Sequence, residues 1–149
     1  MKKTTRPIDT HRVVKFILAH AELLLPEEFV FSPSDLHAAM KKLKDNLTEE
    51  AVGQRILSDL VFADPDTNPH SGLLDSIKSS MWAAEVGLIE LRPGGERDRV
   101  RCSFNAYWAG RVRARLQTKL NANDVALLEP LVPLFVKHLQ EVVALRGKP

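Results

Sequence analysis

Arg92, Arg97, Arg99 and Arg101 lie close together in this chain, and the planar fork of guanidinium donors matches phosphate oxygens. The chemistry on offer is recognition of an anion rather than the making or breaking of a bond. The surrounding stretch, Gly87 to Phe104, reads GLIELRPGGERDRVRCSF. Ile89 and Leu91 alternate with Glu90 and Arg92, and Val100, Cys102 and Phe104 alternate with Arg99, Arg101 and Ser103, the period of half-buried strands. Between the arms, Pro93 presets φ and Gly94-Gly95 accepts positive φ, so the chain reverses there. The spacing predicts a β-hairpin with one apolar and one basic face. Its arginines can lie along a DNA backbone or enter a minor groove. The competing reading is a strand edge kept soluble by charge, with Glu90, Glu96 and Asp98 partly neutralising the arginines.

Other reactive side chains do not converge. His11, His20, His37, His70 and His138 are scattered, with no cysteine pair and no metal-ligand spacing, and they read as surface or helix-boundary residues. The acid pairs Glu27-Glu28 and Glu49-Glu50 fall at helix ends, where the helix dipole explains them. No phosphate-cradling glycine loop and no nucleophile elbow is present. The expectation is no enzyme, no metal and no cofactor.

The net charge of +2 is too small to signal nucleic acid, so its distribution decides. Residues 1 to 86 carry ten Lys/Arg against thirteen Asp/Glu, whereas residues 87 to 120 carry eight against three. The positive excess sits in the hairpin and the helix that follows. The lone Cys102 falls on the inward face of the second arm and reads as a small core residue in a reducing, cytoplasmic compartment. The apolar run after the basic N-terminus is broken by Lys15, His20 and Glu22, which leaves no signal-peptide core and no membrane span.

These residues need a scaffold, and the 149 residues suffice for one core. Between Ile8 and Leu25, Val14, Ile17, Leu18, Ala21, Leu24 and Leu25 recur at helical spacing. Phe29-Val30-Phe31 is a short strand candidate that can pair with the hairpin. Ser32-Pro33-Ser34-Asp35 starts a second helix running to about Lys44. Thr48 with Glu49 and Glu50 starts a third, whose buried stripe is Val52, Ile56, Leu57, Leu60 and Val61. The proline-containing loop Asp64 to His70 leads to a fourth, Ser71 to Val86, and Asn105 caps a fifth. From Asp124 to Arg146 the sequence is apolar on nearly every side.

Two helices compete to read bases. The third exposes Gln54, Arg55 and Ser58, side chains able to reach base edges. The fourth directly precedes the hairpin and carries Lys78 and Ser79 on or beside its outward face. Either is equally readable as a core helix with a polar side.

The order of helices, possible strand, helices, hairpin and terminal helices resembles MarR-type winged-helix regulators. Gly87-Leu88-Ile89-Glu90 and Asp98-Arg99 followed by Val100 match that family's entry into the wing and return from it. The expected fold is mainly α with a small β-hairpin wing, a winged helix-turn-helix core flanked by N- and C-terminal dimerisation helices. It forms one domain over residues 1–149, with the core at about 30–104 and a C-terminal helical region at about 105–146. The resemblance implies a homodimer whose wings straddle duplex DNA, and the expected function is a transcriptional regulator. The alternative is a non-enzymatic adaptor that docks a protein partner. Separately, the apolar excess of the last helix points to a dimer interface at Leu128, Leu131, Phe135, Leu139 and Val142, because one small domain covers only some of its faces. The opposing reading lays that helix across the first helix of the same chain.

Overall fold

The first helix, α1 (Thr10–Leu24), buries Val13, Val14, Phe16, Ile17, Leu18, Ala19 and Ala21. That is too many positions for one stripe, so the helix must be covered from more than one side. In the computed structural model of the chain, residues 8–27, 29–63, 71–83, 88–92 and 101–146 are described, with backbone alone at residues 78–83, 90–92 and 146. The elements that follow α1 are α2 (Pro33–Asp45), α3 (Glu49–Gly53), α4 (Gly72–Ala83), β1 (Ile89–Arg92), β2 (Arg101–Phe104), α5 (Ala106–Gln117), α6 (Ala122–Leu128) and α7 (Leu131–Arg146). The fold is mainly helical with a small β-hairpin.

Side-chain caps set most helix starts. Ser32 Oγ accepts the Asp35 N–H at 3.1 Å while an Asp35 carboxylate oxygen accepts the Ser32 N–H at 2.8 Å, a reciprocal box with Pro33 in the first turn. Thr48, Asn105 and Asn121 likewise accept from Ala51, Trp108 and Asp124. Each such cap contributes about 1 kcal/mol. The hairpin arms pair antiparallel, Ile89 with Phe104 and Arg92 with Arg101. Phe31 pairs with β2 through an isolated bridge, as its sequence suggested: its N–H donates to Cys102 O at 3.0 Å and its carbonyl accepts the Cys102 N–H at 2.8 Å. Cys102, the one cysteine of the sequence, is buried.

The last helix closes the core. It packs on α2 and on α1, while α5 covers a further side of α1. Leu128, Leu131, Phe135 and Leu139 are therefore buried inside their own chain, and Val142 is half-buried. This corrects the dimer interface assigned to those residues: two helices of the same chain flank α7, so its several apolar faces need no second copy. The expected single helix from Asp124 to Arg146 is also two helices, α6 beginning at Ala122 and α7 resuming beyond Glu129-Pro130. Pro130 has no N–H to continue the ladder.

The third helix is shorter than its apolar spacing indicated. It ends at Gly53, and Arg55 (φ 58°) and Leu57 (φ 60°) adopt left-handed backbone. Ile56, Leu57 and Leu60 still reach the core, but from consecutive turns, and Val52 and Val61 are exposed at 60% and 74%. Tertiary anchors override the local pattern. Thr10 Oγ1 donates to an Asp59 carboxylate oxygen at 3.1 Å, and Lys44 Nζ donates to the Leu60 carbonyl. A left-handed residue other than glycine costs about 1 kcal/mol or more. Arg55→Gly will therefore raise the unfolding free energy by a net of roughly 0.5 to 1 kcal/mol, and the urea midpoint with it, the added unfolded-state entropy offsetting part of the relief. A lower midpoint would refute the strain.

His138 on α7 carries a pH dependence. Neither ring nitrogen has a hydrogen-bond partner among the described residues, and burial, helped by Lys42 on α2 and Lys137, pushes its pKa below the ordinary 6.5 against an opposing pull from Glu141. His20 on α1 is lowered too, by burial first and then Arg113, with Glu129 opposing. The folded state prefers both neutral. Their contribution to stability is complete above the unfolded value of 6.5 and is lost as pH falls through the lowered folded values. Chemical denaturation between neutral and mildly acidic pH will show stability falling less in His138→Leu than in the native chain. Equal falls would assign the acid sensitivity elsewhere.

Candidate nucleic-acid interface

Asn105 joins the hairpin to α5: its N–H donates to the Leu88 carbonyl at 2.9 Å, and its side chain caps the helix. The basic arm therefore passes directly into α5 without a flexible link. From Arg101 to Asn123 the chain has five Lys/Arg and no Asp/Glu. One of the five is spent internally: Arg113 donates to the Ala19 carbonyl at 2.6 Å and to Glu22 Oε1 at 3.1 Å, clamping α5 onto α1. The other four, Arg101, Arg111, Arg115 and Lys119, are exposed. Ala109, Val112 and Leu116 are buried on a different side of the helix, and Arg111 and Arg115 are exposed.

Aromatic side chains lie among these cations. Tyr107 is 64% exposed, and its ring stands edge-on to Trp108 with centroids 5.3 Å apart. The Arg111 guanidinium carbon lies 5.8 Å from the Tyr107 centroid and 5.6 Å from that of Trp108, and Arg111 donates to the Tyr107 hydroxyl at 3.2 Å. Cation–π contact of this kind holds the guanidinium beside the rings for about 0.5 to 1 kcal/mol each at an exposed site.

The sequence candidates do not fall in one place. Arg101 is exposed on β2, in register with Arg92, and begins the cationic face. Arg97 and Arg99 lie outside the described residues. Lys78 and Ser79 belong to α4, with their side chains undescribed. Gln54, Arg55 and Ser58 sit in the turns after α3 and not on a helix, Arg55 and Ser58 exposed and Gln54 half-buried, which corrects their assignment to a recognition helix. Asp59 ties those turns to Thr10 at the start of α1. The base of the hairpin meets the other end of α1, where Phe104 and Ala106 line a hollow with Glu22, Leu25, Pro26, Glu27 and Phe29. A helix of 15 residues, about 22 Å, separates these two ends.

That hollow, of about 250 Å³, is lined by two carboxylates and no cation, the wrong sign for phosphate. Ser71, His37 and Asp75 carry the residue types of a hydrolytic triad without its geometry. His37 Nδ1 accepts the Ser71 backbone N–H at 2.9 Å, which leaves the proton on Nε2, bonded to Asp75 Oδ1 at 3.1 Å. Ser71 Oγ instead accepts the Leu74 N–H at 3.2 Å, and the ring is 1% exposed. The trio pins the start of α4 to α2. Among the described residues, no cluster of His, Cys, Asp or Glu could hold a metal, and no helix is long and apolar enough to cross a membrane.

Sequence reasoning missed Tyr107, Trp108, Arg111 and Arg115 as site residues, although a signal for three of them was present. Tyr107, Arg111 and Arg115 recur every four residues on one helical face in an acid-free run. Comparison of the chain with protein-family models, curated proteins and solved structures yields no significant match.

Proposed function

We propose that this chain is a non-enzymatic nucleic-acid-binding protein of winged-helix, MarR-like architecture that grips duplex DNA through its hairpin and α5 and acts as a cytoplasmic transcriptional regulator. The observation that carries the reading is the acid-free run from Arg101 to Asn123, with Arg101, Arg111, Arg115 and Lys119 exposed along one continuous arm and helix. A phosphate backbone is the partner that such a one-signed face fits. The chain order supports the architecture: α1, then Phe31 bridged to β2, then α2, α4 and the hairpin. In this reading α4, with Lys78 and Ser79, takes the recognition position. Pairing of two copies would double a small footprint. Among the described residues, apolar side chains left exposed for it include Leu23, Leu24, Val52, Val61 and Leu145.

The test is fluorescence anisotropy of a labelled random-sequence duplex over a salt series. Affinity that falls linearly in log–log form, with a slope of about 0.9 per phosphate contact, is the expected result. Absence of any salt-sensitive binding would sink the reading. An adaptor that docks a protein partner, favoured by the exposed Leu23 and Leu24 at the end of α1, would then take its place.

A further inference from the structure

We infer that the outward face of α5 binds unpaired bases, so that the preferred ligand is a duplex carrying a single-stranded tail, the duplex along the hairpin and the tail across Tyr107 and Trp108. This rests on the nucleic-acid reading above and narrows its ligand. Tyr107 leaves 64% of its surface exposed beside a half-buried Trp108, and the Arg111 guanidinium lies 5.8 and 5.6 Å from the two ring centroids. Ring faces have little to meet on an intact duplex, whose bases stack on one another and present only their edges in the grooves. Unpaired bases expose their π faces, which stack on aromatic rings and on guanidinium planes.

Charge selects the polyanion over a protein partner. Arg111 lies beside the rings, exposed Arg101 precedes them on β2 and exposed Arg115 and Lys119 follow them along the chain, and no carboxylate occurs between Arg101 and Asn123 to complement a mixed-charge surface. Spacing agrees. Tyr107, Arg111 and Arg115 rise by about 6 Å per step along the helix axis, which sets a stacking platform at the foot of the hairpin and cations beyond it. Aromatic platforms beside a basic track are how single strands are held.

The experiment compares three labelled probes by anisotropy at one moderate salt concentration: a blunt duplex, the same duplex with a tail of about ten thymidines, and the tail strand alone. The tail should tighten binding at least about fivefold over the blunt duplex. Tyr107→Ala should bring that ratio to near one, and Tyr107→Phe, which keeps the ring, should retain it. Circular dichroism checks that both variants fold. Equal binding of tailed and blunt duplex by the native chain overturns the inference while the duplex reading stands, as does a ratio that survives Tyr107→Ala. A tail strand bound as tightly as the tailed duplex overturns the inference too, because the duplex then contributes nothing to the ligand. Failure of every probe to bind in a salt-sensitive way overturns both readings.

Discussion

Phe135→Asp will leave the chain unfolded at room temperature, with its helical circular dichroism lost. Phe135 is fully buried on α7, where the helix meets α2 and α1. Removing the ring alone costs about 3 to 5 kcal/mol, and an unpaired carboxylate in the space left behind adds several more. A domain's whole stability is about 5 to 15 kcal/mol. Leu145→Asp on the same helix supplies the control, since its side chain is 64% exposed and the change should stay within about 0.5 kcal/mol. A folded Phe135→Asp protein of halved mass would restore the interface that the apolar run suggested.

Arg111→Ala, Arg115→Ala and Lys119→Ala combined should weaken duplex binding about a hundredfold at moderate salt and lower the log–log salt slope by nearly three units, about 0.9 for each phosphate no longer neutralised. All three side chains are exposed on or just beyond α5, so the fold should survive. Arg113→Ala is the contrasting variant. Its guanidinium is bound to Glu22 and the Ala19 carbonyl, so its removal should lower the unfolding midpoint and leave the slope unchanged. An unaltered slope in the triple variant, or an altered one in Arg113→Ala, would move the interface away from this face. Changing Arg97, Arg99 and Arg101 together should act as the α5 triple does if the hairpin shares the DNA backbone with it.

Local chemistry was legible in the sequence. Ser32 with Asp35, Thr48 and Asn105 announced helix starts because a cap is a contact between near neighbours, and the alternation from Ile89 to Phe104 gave the hairpin. The Phe31 bridge also followed, from its aromatic, β-branched surroundings. Legibility ended where distant residues decide. Val52, Ile56 and Leu60 keep helical spacing, yet the chain leaves the helix at Gly53, with Asp59 held by Thr10 and the Leu60 carbonyl by Lys44. The face on which Leu128, Phe135 and Leu139 pack could not be read either, because composition does not say whether a neighbour belongs to the same chain. The cluster at Tyr107 was missed in the sequence, because its four-residue spacing gains meaning only once Arg111 is seen beside both rings.

The placement of α7 across both α1 and α2 also governs when the protein can fold as it is made. Helix α1 leaves the ribosome with most of its circumference apolar, and Leu139, among the last residues to cover the core, follows about 115 residues later. At bacterial or eukaryotic elongation rates that delay is on the order of 10 s. During it the nascent chain holds long apolar helix faces open to water, the condition under which chaperones engage and misassembly begins. A transcript truncated within α5 would therefore yield an aggregation-prone peptide rather than a smaller working domain, and abundance in the cell would depend on completing the last helix.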